Sequence, residues 1–361
     1  MSIEIKKGLQ DIIPYTPGKS KDEIERELGI RDAAKLASNE NPIGASPEAV
    51  KAVSETINEI NQYPDGTGKA LKEAISKKID VAPSQVIIGN GSNEVIELIV
   101  RAFMNPGEEA IISDLTFSLY RTFVLVGDGI PVIVPLKEFR HDLNSMRSKV
   151  GKKTRFIFLS NPNNPTGTIL RHKEVIDFIR DLSSDIIIIF DEAYREYVTD
   201  RSFPDTIDYI NKWRNIIVLR TFSKIYGLAG LRIGYGIGNE EYISCMNKVR
   251  QPFNVNSLAQ KAGRAAISDN RHLARSIDVN NKGKRYLYRA FEEIGIEYIP
   301  TEANFIYFDC GRDGRKVYNL LLKEGVIIRY IKERKLRVSI GLPEENKRFI
   351  DALKKVLHYR E

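Results

Sequence analysis

Between about residues 50 and 238 the chain alternates amphipathic stretches with short, unbroken apolar runs. The runs are Gln85–Gly89 (QVIIG), Glu109–Ser113 (EAIIS), Ile130–Val134 (IPVIV), Arg155–Ser160 (RFIFLS), Asp185–Asp191 (DIIIIFD) and Asn215–Arg220 (NIIVLR). Strands read this way when both of their faces are buried, and their alternation with helices predicts an α/β domain with a mostly parallel central sheet covered by helices. Such a sheet takes its ligand where the carboxyl ends of the strands open into loops. Beyond about Gln251 the pattern changes to helical segments around Phe305–Asp309 (FIYFD), Val326–Arg329 (VIIR) and Leu336–Ile340 (LRVSI), which predicts a smaller α+β domain. The first fifty residues carry Pro14, Pro17, Pro42 and Pro47, too many for a continuous helix, and read as an arm plus a loop, the arm lying across a partner. The expected division is an arm with part of the small domain (1–45), a large ligand-binding domain (46–250) and a small C-terminal domain (251–361).

Composition narrows the class. A chain of 361 residues exceeds one small core and suggests two domains. Its 42% hydrophobic and 29% charged content is that of an ordered globular protein. The longest apolar runs, such as Ile186–Phe190, fall far below the roughly 20 residues that span a bilayer, and Met1–Gln10 lacks a secretory hydrophobic region. The expectation is a cytoplasmic protein without a membrane partner. The net charge of +7 comes from 55 basic against 48 acidic residues, dispersed as in Lys332-Glu333-Arg334-Lys335. With no nucleic-acid-binding pattern beside it, this suits a surface that handles anionic metabolites, not nucleic acid. Cys245 and Cys310 stand apart without ligand-spaced partners, so neither a metal site nor a disulfide framework is expected, and both read as buried thiols.

Four loops at the predicted carboxyl edge carry chemistry. In Val86–Leu98 (VIIGNGSNEVIEL) a strand breaks into glycines and a helix begins, with Ser or Asn available as its cap. Backbone N–H groups of Gly91, Ser92 and Asn93 there suit a phosphate. In Leu159–Gly167 (LSNPNNPTG) two prolines and a glycine fix a turn that aims amides inward. Ile186–Phe190 ends in Asp191-Glu192-Ala193-Tyr194, so a carboxylate stands at the end of a buried strand and needs a cation. That cation is Arg232, another structural ion-pair partner or a bound cationic ring. Finally Asn215–Arg220 leads into Thr221-Phe222-Ser223-Lys224, with Gly-Leu-Ala-Gly-Leu-Arg-Ile-Gly-Tyr-Gly following at 227–236. A lysine between hydroxyls is a poor packing choice at such an edge, although its stem could simply snorkel. The glycines after it allow close backbone approach to a ligand.

In this order and at these spacings, NPNNPTG, DEAY and TFSK with GLAGLRIGYG resemble the fold-type-I pyridoxal 5′-phosphate-dependent aminotransferases, over nearly the whole chain. Within that family the chain is most similar to the histidinol-phosphate aminotransferases. The similarity runs through Ala37–Pro42 (ASNENP), Tyr63–Gly66 (YPDG), Arg250–Asn256 (RQPFNVN), Ala303–Phe305 (ANF) and Leu336–Gly341 (LRVSIG) followed by Glu344-Glu345-Asn346. One departure is Phe117, where many relatives carry tyrosine; either ring stacks on a pyridine.

The resemblance implies roles. Lys224 is the amine that bonds to the cofactor aldehyde and later shuttles a proton, its pKa depressed by nearby cations and burial. Asp191 accepts from the pyridinium N–H, and Tyr194 and Asn164 hydrogen-bond the phenolic oxygen. Thr221, Ser223 and Arg232 hold the phosphate with the amides of Gly91, Ser92 and Asn93, and Phe117 stacks on the ring. Tyr63 reaches the cofactor phosphate of a neighbouring subunit, which implies a homodimer with shared sites. Arg329 and Arg337 take the anionic end of the substrate, while Tyr15 and Asn39 close the site. The implied reaction exchanges an amino group between histidinol phosphate (from imidazole acetol phosphate) and 2-oxoglutarate/glutamate in histidine biosynthesis. Threonine-phosphate decarboxylases and aromatic aminotransferases share these marks. A non-catalytic sensor on the same fold is disfavoured by retention of Lys224, Asp191, Asn164, Tyr194 and Arg232, and by the lack of room for a DNA-binding domain at either end.

Overall fold

A computed structural model describes residues 4–14, 21–29 and 31–358. Its centre is a sheet of seven strands: β2 (Val86–Gly89), β3 (Glu109–Ser113), β4 (Ile130–Val134), β5 (Thr154–Ser160), β6 (Ile187–Asp191), β7 (Ile216–Thr221) and β8 (Gly234–Gly238), with β1 (Ala34–Lys35) lying elsewhere. Their spatial order is β2-β8-β7-β6-β5-β3-β4, and only β8 runs antiparallel to its neighbours. Every residue of β2, β6 and β7 is buried, so the continuous apolar runs reflect helices on both faces. One face packs Ile88, Ile157, Leu159, Ile188 and Val218 into the largest core. The other packs Ile87, Phe156, Ile187, Ile189 and Leu219 against the helix Ser92–Phe103.

The strand β8 is absent from the sequence-based element set, because Gly-Tyr-Gly-Ile-Gly carries no strand signal. Its glycines answer to packing. A Cβ on Gly236 would lie 2.7 Å from Val95 Cγ1, and one on Gly234 would lie 2.8 Å from the carbonyl carbon of Gly91. Gly227 likewise meets the backbone of Gly44 and Ala45. The close approaches expected of these glycines are therefore made by other segments of the chain. Because β8 is reversed, its first residue stands at the carboxyl edge of the other strands, with Gly234 opposite Gly89 on one side and Thr221 on the other.

The smaller sheet joins β9 (Glu297–Ile299), β10 (Phe305–Asp309), β12 (Arg329–Lys332) and β13 (Lys335–Ser339) in the antiparallel order β12-β13-β10-β9. The short β1 pairs in parallel with β11 (Val326–Ile327), so Ala34 and Leu36 enter the core of this sheet. A second difference concerns residues 251–267. The helix Ser257–Ala266 packs on the helix Pro47–Thr56, and Val255, Ala259, Ala262 and Ala266 join the core of the large sheet. Packing thus carries the large body beyond residue 250, into the 24-residue helix Asn270–Glu293, whose later residues Leu287, Ala290 and Phe291 join the small core. Cys310 is buried as expected, but Cys245 is only half-buried. Among the described residues no helix is long and apolar enough to cross a membrane, and no cluster of ligating side chains suits a metal ion.

Candidate active site

The carboxyl ends of β5, β6 and β7 and the amino end of the helix Ser92–Phe103 surround a cavity of about 320 Å³. From the small domain and the strap before the large domain it receives Arg337 and residues 37–40. Loops 30 to 130 residues apart in sequence meet here because parallel strands place all their carboxyl ends on one edge.

Lys224 follows β7 and directs Nζ into this space, where it donates to the carbonyl oxygen of Ser38 at 3.0 Å. The surface it keeps opens onto the cavity. Burial, and then the guanidinium of Arg337, lower its pKa from the usual lysine range to about 8; Glu40 and Asp191 oppose this and Arg232 adds to it. The amine is thereby half neutral near pH 8, well below an ordinary lysine, and its neutral fraction can act as a nucleophile or base.

Asp191 ends β6 and is 5% exposed. Among the described residues it forms no salt bridge, so Arg232 is not its counter-ion. Its Oδ2 accepts from the hydroxyl of Tyr120 at 2.6 Å and its Oδ1 from the N–H of Ala193 at 3.1 Å. Burial raises its pKa, and these two bonds pull it back down. A buried carboxylate held by two neutral donors retains affinity for a cationic N–H facing it. The next residue, Glu192, takes the structural role: fully buried, it accepts from Arg220 Nε at 2.9 Å and from the Thr206 hydroxyl at 2.6 Å.

At the opposite end the helix Ser92–Phe103 begins with Gly91 at φ +78° and no side chain caps it. The expected Ser or Asn cap is absent; Glu94 instead reaches back to the Asn90 N–H and to Asn254. Arg232 takes the space beside the bare turn, where a Cβ on Gly91 would stand 2.6 Å from Nη2. Thr221 and Ser223 line the same end, and Arg232 Nη1 lies 3.5 Å from the Ser223 hydroxyl. Uncapped amides, a helix dipole, two hydroxyls and a guanidinium form a cradle for a phosphate dianion.

Phe117 and Tyr194 also line the cavity, and the Tyr194 ring stands 5.8 Å from Lys224 Nζ. Asn164 contributes its side chain, with Oδ1 accepting from Arg337 Nη1. The amides of its turn face differently from expectation, since the N–H groups of Asn161, Asn163 and Gly167 bond to Asp191, Thr168 and Asn163 carbonyls. Asn39 donates from Nδ2 to the Tyr194 hydroxyl at 2.9 Å.

Two expected residues stand apart from the cavity. Tyr63 is 83% exposed, stacks on Phe253 at 4.7 Å and does not line its own chain's cavity. Arg329 lies on β12 directly opposite Arg337 on β13 but is not among the lining residues. Tyr15 lies outside the described residues. Tyr120 is a functional residue that the sequence reading misses; its signal is a hydroxyl three positions after Phe117, in a short helix (LYRTFVLV) that is otherwise mostly apolar.

The comparisons agree with this geometry. Residues 31–353 match the family described as aminotransferase class I and II. A Moorella thermoacetica protein named histidinol-phosphate aminotransferase is 46% identical over 98% of this chain and 92% of its own length. One of the same name from Caldicellulosiruptor saccharolyticus is 43% identical over 97% and 99%. Among solved structures, histidinol-phosphate aminotransferase from Sinorhizobium meliloti in complex with pyridoxal-5′-phosphate superposes with a TM-score of 0.90 at 26% identity, covering 99% of this chain and 98% of that one. A Thermus thermophilus aspartate aminotransferase, 19% identical with a TM-score of 0.83, shares the fold. With a match across nearly its whole length and a cavity built from the corresponding loops, the chain belongs to the class I and II aminotransferases.

Proposed function

We propose that the chain is a pyridoxal 5′-phosphate-dependent aminotransferase that moves an amino group between histidinol phosphate and 2-oxoglutarate in histidine biosynthesis. The observation that carries the cofactor reading is the set of groups gathered on one cavity. An anion cradle at Gly91–Asn93 and Arg232, a buried carboxylate without a salt bridge at Asp191 and a lysine of lowered pKa at 224 stand around the same space. The relatives' shared name supports the substrate. When bound, the cofactor supplies an aldehyde and an electron-poor ring that accepts the electrons released at the substrate's Cα.

The chain's own residues do the rest. Lys224 would hold the cofactor's aldehyde through its amine and, when free, would serve as the base that carries the proton from the substrate's Cα to the former aldehyde carbon on the far side of the nitrogen. Asp191 keeps the ring nitrogen protonated by accepting its N–H. Tyr194 and Asn164 face the phenolic oxygen, Phe117 covers the ring, and Thr221, Ser223, Arg232 and the amides of residues 91–93 hold the phosphate. Arg337 receives the anionic end of each substrate, phosphate in histidinol phosphate and carboxylate in glutamate, in a bidentate grip, and Arg329 is its candidate partner across the β12–β13 pair. Tyr63, solvent-facing in one chain, serves the site of a second copy, so the working form is a homodimer in the cytoplasm. Tyr15 on the arm and Asn39 complete the closure.

Purified protein reconstituted with the cofactor is expected to turn over histidinol phosphate with 2-oxoglutarate at a kcat/KM well above that for phenylalanine. Equal or lower efficiency with the phosphate compound overturns the substrate assignment and leaves the broad aromatic reading in its place.

A further inference from the structure

One polar chain in the site runs from the small sheet to the large one. The backbone N–H of Asn39 donates to the Ser339 hydroxyl at 2.8 Å, and that hydroxyl donates to Asn39 Oδ1 at 2.9 Å. Asn39 Nδ2 then donates to the Tyr194 hydroxyl at 2.9 Å. Asn39 and Ser339 are 1% and 3% exposed, so water does not substitute for these bonds. Asn39 sits at φ +55°, a conformation asparagine tolerates better than most residues, and Asn304 Nδ2 holds its carbonyl at 3.0 Å.

The donor logic runs one way. Ser339 accepts from the Asn39 backbone N–H, which only donates, and gives its own proton to Asn39 Oδ1. An amide whose oxygen faces Ser339 must present NH₂ to Tyr194, and NH₂ has no acceptor capacity. The phenol oxygen therefore accepts from Asn39, so its own proton goes to a partner other than that amide, and Tyr194 is among the residues lining the cavity. Ser339 also shares a face of β13 with Arg337, two positions earlier. The strand that brings the anion-binding guanidinium thus carries the residue that sets the phenol.

We infer that Ser339 is a positioning residue: acting through the Asn39 amide, it makes the Tyr194 hydroxyl a donor into the cavity. The inference rests on the cofactor reading, in which the phenolic oxygen of pyridoxal phosphate is the group that receives this donor. Lys224 Nζ, 5.8 Å from the Tyr194 ring, is held separately by the carbonyl of Ser38.

The test follows the visible absorption of reconstituted enzyme against pH. That titration reports the proton shared between the nitrogen at Lys224 and the phenolic oxygen, and a bond donated to the oxygen lowers its midpoint. Ser339→Ala is expected to raise the midpoint by about 0.5–1 pH unit, the scale of one charge-assisted hydrogen bond. Ser339→Thr, which keeps the hydroxyl, is expected to stay at the wild-type value. Asn39→Gly suits φ +55° and removes the amide; it is expected to shift the midpoint in the same direction, and adding Ser339→Ala to it or to Tyr194→Phe is expected to shift it no further. If Ser339→Ala does not fold, Asn39→Gly against Tyr194→Phe decides. An unmoved midpoint in Ser339→Ala and Asn39→Gly, or additive shifts, overturns the inference alone. A wild-type protein that binds the cofactor without any visible band at Lys224 overturns the cofactor reading and this inference with it.

Discussion

The hydroxyl of Tyr120 donates to Oδ2 of Asp191 at 2.6 Å, deep under the sheet edge where neither residue is open to bulk water. The helix Leu119–Val126 supplies the phenol and the end of β6 supplies the carboxylate, so two elements 71 positions apart share one proton donor. Burial drives the carboxyl toward its neutral form, and this bond is the largest influence opposing that drive.

Tyr120→Phe removes that support without changing the ring's packing on Phe158. The Asp191 pKa then rises further, and a protonated Asp191 cannot hold a cationic ring nitrogen. The variant is expected to bind pyridoxal phosphate on the order of tenfold more weakly, about 1.4 kcal/mol, with the deficit growing as pH falls. Equilibrium titration of the cofactor-free protein at pH 6 and pH 8 measures it.

Lys224 must be neutral to attack an aldehyde, and its pKa is about 8. The rate at which cofactor-free protein captures pyridoxal phosphate is therefore expected to rise with pH and level off above that value. Arg337 is the second-largest cause of the depression, after burial, and it acts by cation repulsion. In Arg337→Gln the midpoint moves upward, toward the ordinary lysine range. Stopped-flow absorbance across pH 6–10 compares the two.

Arg337 also spans two domains, donating to Asn164 Oδ1 and to the carbonyl of Ala37. A lysine there keeps the charge and loses the fork. Arg337→Lys is expected to lower kcat/KM about a hundredfold for both glutamate and the phosphate substrate, with most of the loss in KM. Steady-state kinetics with each substrate in turn checks this.

Glu192 and Arg220 form a buried pair beside the site and are not themselves among the residues that line the cavity. Glu192→Gln removes the carboxylate paired with the buried guanidinium, leaving only the weaker influence of Glu196 on it, and is expected to cost about 3 kcal/mol of stability. Chemical denaturation of the cofactor-free protein at pH 7 reads that loss directly.

Gly234 offers a structural test of the cradle. A methyl group there meets the Ser92 amide and Gly91, both backbone, so the helix start must shift. Gly234→Ala is expected to lose about 1–3 kcal/mol of stability and to weaken binding of inorganic phosphate to the cofactor-free protein. Thermal melts with and without phosphate separate the two effects.

What could be read from the chain follows from what each signal encodes. The parallel strands were legible within a residue or two because burial on both faces leaves unbroken apolar runs such as Ile187–Phe190. Their loops could then be placed on one edge, and the structure does gather Ser92, Asn164, Asp191, Thr221, Lys224 and Arg232 around one cavity. The strand β8 was hidden because its glycines answer to the backbone of residues 91–92, contacts invisible in local sequence. Tyr120 and Ser339 were hidden for a related reason: a buried hydroxyl has no period, and its partner is known only when distant elements meet. Asn39 and Ser339 are 300 residues apart and become neighbours through the pairing of the strap with the small sheet. Tyr63 is 83% exposed and stacks on Phe253 without lining its own chain's cavity.

The claim on which the account depends is that the amine at position 224 holds the cofactor. Borohydride reduction of the reconstituted protein, followed by proteolysis and mass spectrometry, locates the attachment. The account predicts one phosphopyridoxyl group per chain on the peptide containing Lys224, absent from Lys224→Ala. A reduced group on any other lysine, or none at all, would contradict it.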